Sequence, residues 1–212
     1  GVQTCALPIL AKSKVFKNCL ALLLITLVAG LALAVVNEIT AKPISEAENK
    51  AKMAAYESVF SGVEFEEINS SDKLIKAEND SAPVQNASVD DVLRAVDKNG
   101  NTVGYVMSAT SASGYGGDVK IAIGISAADD KITGFKVLSH SETAGLGAKC
   151  TEDDFQNQFA GKSAGKLSYV KNAAASDSEI DAISGATITS SAVTDAVNAA
   201  THFYSTLKEG QQ

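Results

Sequence analysis

The chain has no tryptophan, only two histidines and only three cysteines, and each shortage removes a class of chemistry. His140 and His202 lie far apart, and Cys5, Cys19 and Cys150 form no CxxC pair. A zinc or iron–sulfur site held by this chain alone is not expected, because such sites draw clustered Cys and His ligands. No nucleophile–base–acid trio is visible either, so no catalytic residue is assigned. Positive charge is scarce and uneven. Lys12, Lys14 and Lys17 are the only charged residues before Asn37, leaving 15 basic residues against 25 acidic ones in the remainder. Such an acidic chain repels phosphate, so nucleic acid is not expected as a partner.

What the first part of the chain does have is a long apolar run. Cys19 to Val36 reads CLALLLITLVAGLALAVV, eighteen residues without a charge. A membrane span needs roughly 17–25 such residues. Val15 and Phe16 extend the run past Lys17, whose long stem can snorkel. We read residues 15–37 as a transmembrane anchor in contact with the lipid bilayer. The preceding lysines place the N-terminus in the cytoplasm and the acidic part outside. The same segment also reads as a cleaved secretory signal, since Ala32-Leu33-Ala34 satisfies the A-x-A pattern. Within residues 1–14, the stretch Gly1 to Ile9 resembles the translation of a sequencing-library adapter and is set aside as an artefact.

The exported part divides into a helical and linker region, 38–88, and a folded domain, 89–212. Asn37 to Pro43 reads as a juxtamembrane segment. Ile44 to Phe60 reads as a separate helix, with Ser45 as its cap and Ala47, Ala51, Ala54, Ala55 and Val59 on one face. Ser70-Ser71-Asp72 and Asn79-Asp80-Ser81 read as turns. Strands are expected at 89–96 and 102–109, joined by a hairpin at 98–101, and again at 119–126 and 132–139. That makes a meander of about four strands. Residues 152–163 read as a helix, 166–170 as a short strand, and 189–207 as a terminal helix with Val193, Val197, Ala200 and Tyr204 on one face. The expected class is α+β: an antiparallel sheet with packed helices, preceded by one transmembrane helix.

Chemistry concentrates where that last helix opens. Asp181-Ala182-Ile183-Ser184-Gly185-Ala186-Thr187-Ile188-Thr189-Ser190 is a run of small and hydroxyl residues. The free N–H groups of a helix N-terminus favour an anion, phosphate above all. A threonine there either meets a phosphate or simply caps the helix. Three further segments stand out: His140-Ser141-Glu142-Thr143-Ala144-Gly145-Leu146-Gly147, Gly114-Tyr115-Gly116-Gly117, and Tyr169-Val170-Lys171-Asn172-Ala173.

Taken in their order along the chain, 114–117, 140–147, 169–173 and 181–190, these segments resemble an FMN-binding domain family. The family occurs in the RnfG component of the Rnf ion-translocating electron-transport complex and in the NqrC component of the sodium-pumping NADH:quinone reductase. The short chain is more similar to the Rnf-type protein. D-x-x-S-G-A-T at 181–187 is similar to the family's flavinylation motif, in which a flavin transferase joins FMN through a phosphoester to the last threonine. The resemblance implies covalent FMN on Thr187, framed by Ser184, Gly185 and Ala186. The 140–147 segment is similar to H-x-E-T-P-G-L-G, with Ala144 in place of proline. It implies that Glu142, Thr143, Gly145 and Leu146 lie against the flavin, while His140 and Glu142 also read as a hydrogen-bonded pair shaping a loop. Lys171 reads either as a cation beside reduced flavin or as a solvated lysine.

The expected function is a membrane-anchored covalent-FMN electron-transfer subunit of an Rnf-type ion-translocating oxidoreductase, with no turnover of its own. Its expected partners are other membrane subunits of the redox complex and, during maturation, the flavin transferase. Its expected place is the cell (inner) membrane, single-pass, with the FMN domain extracytoplasmic. Two other readings stay open: a stand-alone exported flavoprotein in extracellular electron transfer, and an anchored binding module without flavin.

Overall fold

The computed structural model describes residues 10–68, 71–81, 84–171 and 173–209, with side chains from Lys14 onward. The adapter-like stretch, Ser70 and Asn172 lie outside these residues. The chain divides into two compact units, one ending at Asn49 and the other beginning at Lys50.

The first unit holds most of a single helix, α1, Leu10–Val59. From Lys14 to Asn49 its apolar side chains are exposed, among them Leu20, Leu23, Ile25, Val28, Leu31 and Leu33. An apolar surface of that extent is stable in lipid and not in water. Among the described residues α1 is the one helix long and apolar enough to cross a membrane. The expected break at 37–43 and the Ser45 cap are corrected: Pro43 and Ser45 both lie inside α1. A proline there costs the N–H bond to the carbonyl four residues back. The flanking residues, Ala41, Lys42, Glu46 and Ala47, are good helix formers and carry the helix across.

The second unit is a five-stranded antiparallel sheet in the order β1-β2-β3-β4-β5. Its strands are β1 Glu64–Glu67, β2 Ala87–Val96, β3 Thr102–Ser111, β4 Val119–Ser126 and β5 Ile132–Ser139. The expected meander is therefore one strand short. The β1 sequence EFEE shows no apolar alternation and reads as polar linker; pairing with β2 makes it a strand, and Arg94 reaches across to Glu66 at 2.6 Å. A second element absent from the sequence reading, α2 (Ser71–Ser81), includes the expected Asn79 turn. The Asn79 amide instead exchanges two hydrogen bonds with the backbone of Val89, at 2.8 and 3.0 Å.

The sheet is covered on both faces. Val119, Ile121, Ile123 and Ile125 of β4 are fully buried and belong to the larger core. That core also contains Val193, Val197, Ala200 and Tyr204 of the terminal helix α4, Thr187–Glu209. On the other face Ala55, Tyr56 and Val59, from the end of α1, pack on Val106 and Ala122. Glycine allows that approach: a Cβ on Gly134 would stand 2.7 Å from Val59 Cα, and one on Gly124 would stand 2.9 Å from Val59 O.

The expected helix at 152–163 is corrected. A 3₁₀ turn, Gly147–Thr151, leads into one turn of helix, α3, Asp153–Gln156. The chain then leaves the helical path to pair with the start of β5, Gly161 N–H to Ile132 O and Ile132 N–H to Lys162 O, both at 2.8 Å. Phe155 and Phe159 are still buried, Phe159 stacking on Phe135 with centroids 4.3 Å apart. Two short strands, β6 Ser168–Val170 and β7 Glu179–Asp181, form a parallel pair. β7 has no sequence signal of its own, because three residues give no readable period. The α+β class with one preceding apolar helix stands.

Candidate functional site

α4 begins at Thr187, and a serine three residues inside it fixes the loop before it. Ser190 Oγ accepts the N–H of Ile183 at 2.9 Å and donates to Ala186 O at 3.0 Å. Gly185 takes φ +77°, a conformation other residues resist, and so turns the chain into the helix. The N–H groups of Thr187, Ile188 and Thr189 have no carbonyl partner among the described residues. They are the free donors expected at a helix start.

The four hydroxyls in this stretch differ sharply. Ser190 is fully buried and engaged at both ends. Thr189 is 1% exposed and donates to Glu142 Oε2 at 2.5 Å. Ser184 is exposed and lies outside the cavity described next. Thr187 is half-buried, lines that cavity, and its hydroxyl has no partner among the described residues.

The cavity has a volume of about 530 Å³, and its walls include Tyr115, Glu142, Thr143, Leu146, Thr187 and Ile188. Small-molecule sites commonly enclose roughly 300–1,000 Å³. Tyr115, Leu146 and Ile188 expose large apolar surfaces at its rim. Glu142 is buried, at 8% exposure, and ties the walls together. Its Oε1 accepts the Gly116 N–H at 3.0 Å while Oε2 accepts from Thr189, so one carboxylate joins the glycine-rich loop to α4. Its own N–H donates to His140 Nδ1 at 3.1 Å. Gly145, at φ +77°, lets the loop close, with the N–H groups of Leu146 and Ala148 both reaching Thr143 O at 3.1 Å. A Cβ on Gly116 would strike Ser141 O at 2.0 Å, so these loops approach as closely as backbones can.

Of the residues singled out from sequence, Glu142, Thr143, Leu146, Gly185, Ala186 and Thr187 come together on the cavity wall. Gly145 shapes the same loop without lining the cavity, and Ser184 does not line it. Lys171 is exposed and outside the lining, one residue beyond Val170, whose carbonyl accepts the Ala182 N–H at 2.8 Å. Tyr115, Gly147, Ile188 and Thr189 are cavity residues that the sequence does not single out as site residues. Thr189 and Ser190 do carry a readable signal: two more hydroxyls in the first turn after Thr187. Cys150 is buried nearby, and its thiol is pushed up to about 11, by burial first and then by the Glu142 charge, which makes it a poor nucleophile.

The FMN-binding domain family matches residues 114–202, a span that contains every wall of this cavity. The chain is 37% identical over 200 residues to the G component of the Na⁺-translocating ferredoxin:NAD⁺ oxidoreductase complex of Acetobacterium woodii, covering 92% of this chain and 94% of that one. It is 41% identical over 133 residues to the G component of the ion-translocating oxidoreductase complex of Methanosarcina acetivorans, covering 59% of this chain and 68% of that one. The chain belongs to the RnfG family of ion-translocating oxidoreductase components. Among solved structures it is similar to NqrC of Shewanella oneidensis, at 23% identity over 56% of this chain and 60% of that one, with a TM-score of 0.47. As an RnfG-family protein with an exposed apolar helix, it is a membrane protein carrying an FMN-binding domain. The residues present suit FMN. The cavity is of sufficient size, its apolar rim suits a flat ring, and the free N–H groups at the start of α4 suit a phosphate.

Proposed function

We propose that this RnfG-family protein carries FMN covalently on Thr187 and relays electrons between partner subunits of a membrane complex that couples redox energy to ion transport. One observation carries the attachment site: of the four neighbouring hydroxyl residues, only Thr187 both lines the cavity and has a hydroxyl without a hydrogen-bond partner among the described residues. A hydroxyl already held, like that of Thr189 or Ser190, would have to break its bonds to react. Thr187 would take the FMN phosphoryl group from FAD. Its oxygen bonds to the FMN phosphorus, the bond from that phosphorus to AMP breaks, AMP leaves, and the hydroxyl proton passes to solvent. A threonine hydroxyl is a weak nucleophile, so a separate flavin transferase has to drive the step.

Once bound, FMN supplies one- and two-electron redox chemistry. The chain's own residues then hold and shield it: the first turn of α4 donates N–H groups to the phosphate, and Tyr115, Leu146 and Ile188 exclude water from the ring. Lys14 and Lys17, on the N-terminal side of the apolar run, support an N-terminus in the cytoplasm and an FMN domain outside it. The test is the intact mass of the chain coexpressed with a flavin transferase. An FMN-sized increase that disappears in Thr187→Ala is expected. An increase that survives this substitution would rule out the site.

A further inference from the structure

Glu142 is an unusual group to find in a wall facing a cofactor that gains negative charge on reduction. It is buried, lines the cavity, and accepts on both oxygens, from Gly116 N–H and from the Thr189 hydroxyl, which is the bonding of a carboxylate. Two donors held in place fix that charge where it is. Lys171, the cation that the sequence suggests for the flavin, lies outside the cavity lining, and among the described residues no Lys or Arg lines it. Inside a water-poor wall a charge acts over several ångströms with little screening.

Resting on the FMN reading, we infer that Glu142 is a positioning residue that also acts through its charge. It locks the glycine loop to α4 and holds down the reduction potential of the flavin. A fixed carboxylate disfavours added negative charge in the same cavity, so the protein holds its electrons weakly and passes them on readily.

Glutamine separates the two roles. In Glu142→Gln the side-chain oxygen still accepts the Gly116 N–H, and the amide donates to the Thr189 oxygen, which then acts as acceptor. The clamp survives and the charge goes. Thr189→Val does the converse, opening one arm of the clamp and keeping the charge. The experiment is a potentiometric titration of the flavin absorbance in the full-length, flavinylated protein. E142Q should still carry the adduct and titrate at a higher potential, with the ratio of reduced to oxidised flavin at a fixed poise rising roughly tenfold or more. T189V should show no such rise. An E142Q potential equal to wild type, or a rise of the same size in T189V, would overturn the inference. Failure of the FMN reading has a different signature, since it appears in the wild-type chain as an adduct that is missing or that survives Thr187→Ala.

Discussion

One face of the sheet lies under α4 and the loops framing the cavity; the other lies under the end of α1, from Lys50 onward. The first is sealed by bulk. Ile121, Ile123, Phe135, Phe159 and Phe203 are all buried there in one continuous core. The second is sealed by closeness: a helix end lies against Gly124 and Gly134, and Thr133 donates to Val59 O at 2.6 Å. Its buried side chains are fewer, and the largest, Tyr56, spends its hydroxyl on Asp91, which also holds Lys52 at 2.9 Å. Burial pushes the Tyr56 phenol further up from its ordinary range, so it remains a neutral donor. The face that must hold a cofactor rigid is thus the one with the deep apolar core. The face that receives the helix leading from the membrane relies on a few close backbone contacts.

Substitutions on the two faces should therefore differ in kind. Phe159→Ala removes a ring that stacks on Phe135 and meets Phe155 edge-on at 5.6 Å. Large-to-small changes of this sort cost about 3–5 kcal/mol. Chemical denaturation should show that loss, and flavin loading measured by mass should fall with it. Gly134→Ala probes the other face. Its Cβ would meet the Val59 backbone at 2.7 Å, so the helix end has to shift. Overpacking costs roughly 1–3 kcal/mol. We expect a smaller shift in the denaturation midpoint, with the adduct proposed for Thr187 still formed. Equal loss of flavin in both variants would show that the two faces are not independent.

The same contrast explains what can be read from the sequence. β4 and β5 are legible to the residue, because Val119, Ile121, Ile123 and Ile125 alternate and Asp129-Asp130-Lys131 marks the turn. The buried face of α4 is legible from Val193, Val197, Ala200 and Tyr204. The end of α1 is not. Its alanine spacing suggests a face of Ala47, Ala51, Ala54, Ala55 and Val59, yet of those in the second unit Ala51 and Ala54 are exposed while Tyr56 is buried. Small residues mark closeness only once the partner surface is known, and here the partner is a pair of glycines on strands far along the chain. In the site, Thr187 and its loop are carried by local pattern. The link from Glu142 to Thr189 joins residues 47 apart and exists only through the fold. β1 and α2 escape the sequence for a similar reason: α2 buries no residue, and β1 owes its strand character to its neighbour.

The smallest effects come from two carboxylates, Asp130 against α4 and Asp195 within it, that have opposite consequences and refine the picture of that face. Asp130 is held below its ordinary range, chiefly by hydrogen bonds from Lys208 and then from the Tyr204 hydroxyl at 2.6 Å. Its folded pKa lies below the unfolded value of about 3.9, so its contribution is present above that pH and is lost as pH falls through the folded value. The pair is largely exposed, which limits the contribution to less than about 1 kcal/mol. Asp195 is raised, mainly by burial, with a hydrogen bond from Ser191 opposing the shift. Its folded pKa lies above the unfolded one, so the ionised form costs stability at neutral pH, and that cost is relieved as pH falls through the folded value. Asp130→Asn should therefore lower the melting temperature at pH 7, by an amount that shrinks in acid. Asp195→Asn should raise it at pH 7 by the equivalent of a few tenths of a kcal/mol, again with the effect fading in acid. Thermal melts of both variants between pH 3 and pH 7 test the pair. A rise for Asp130→Asn, or a fall for Asp195→Asn, would mean that the carboxylate concerned does not act on α4 through its charge.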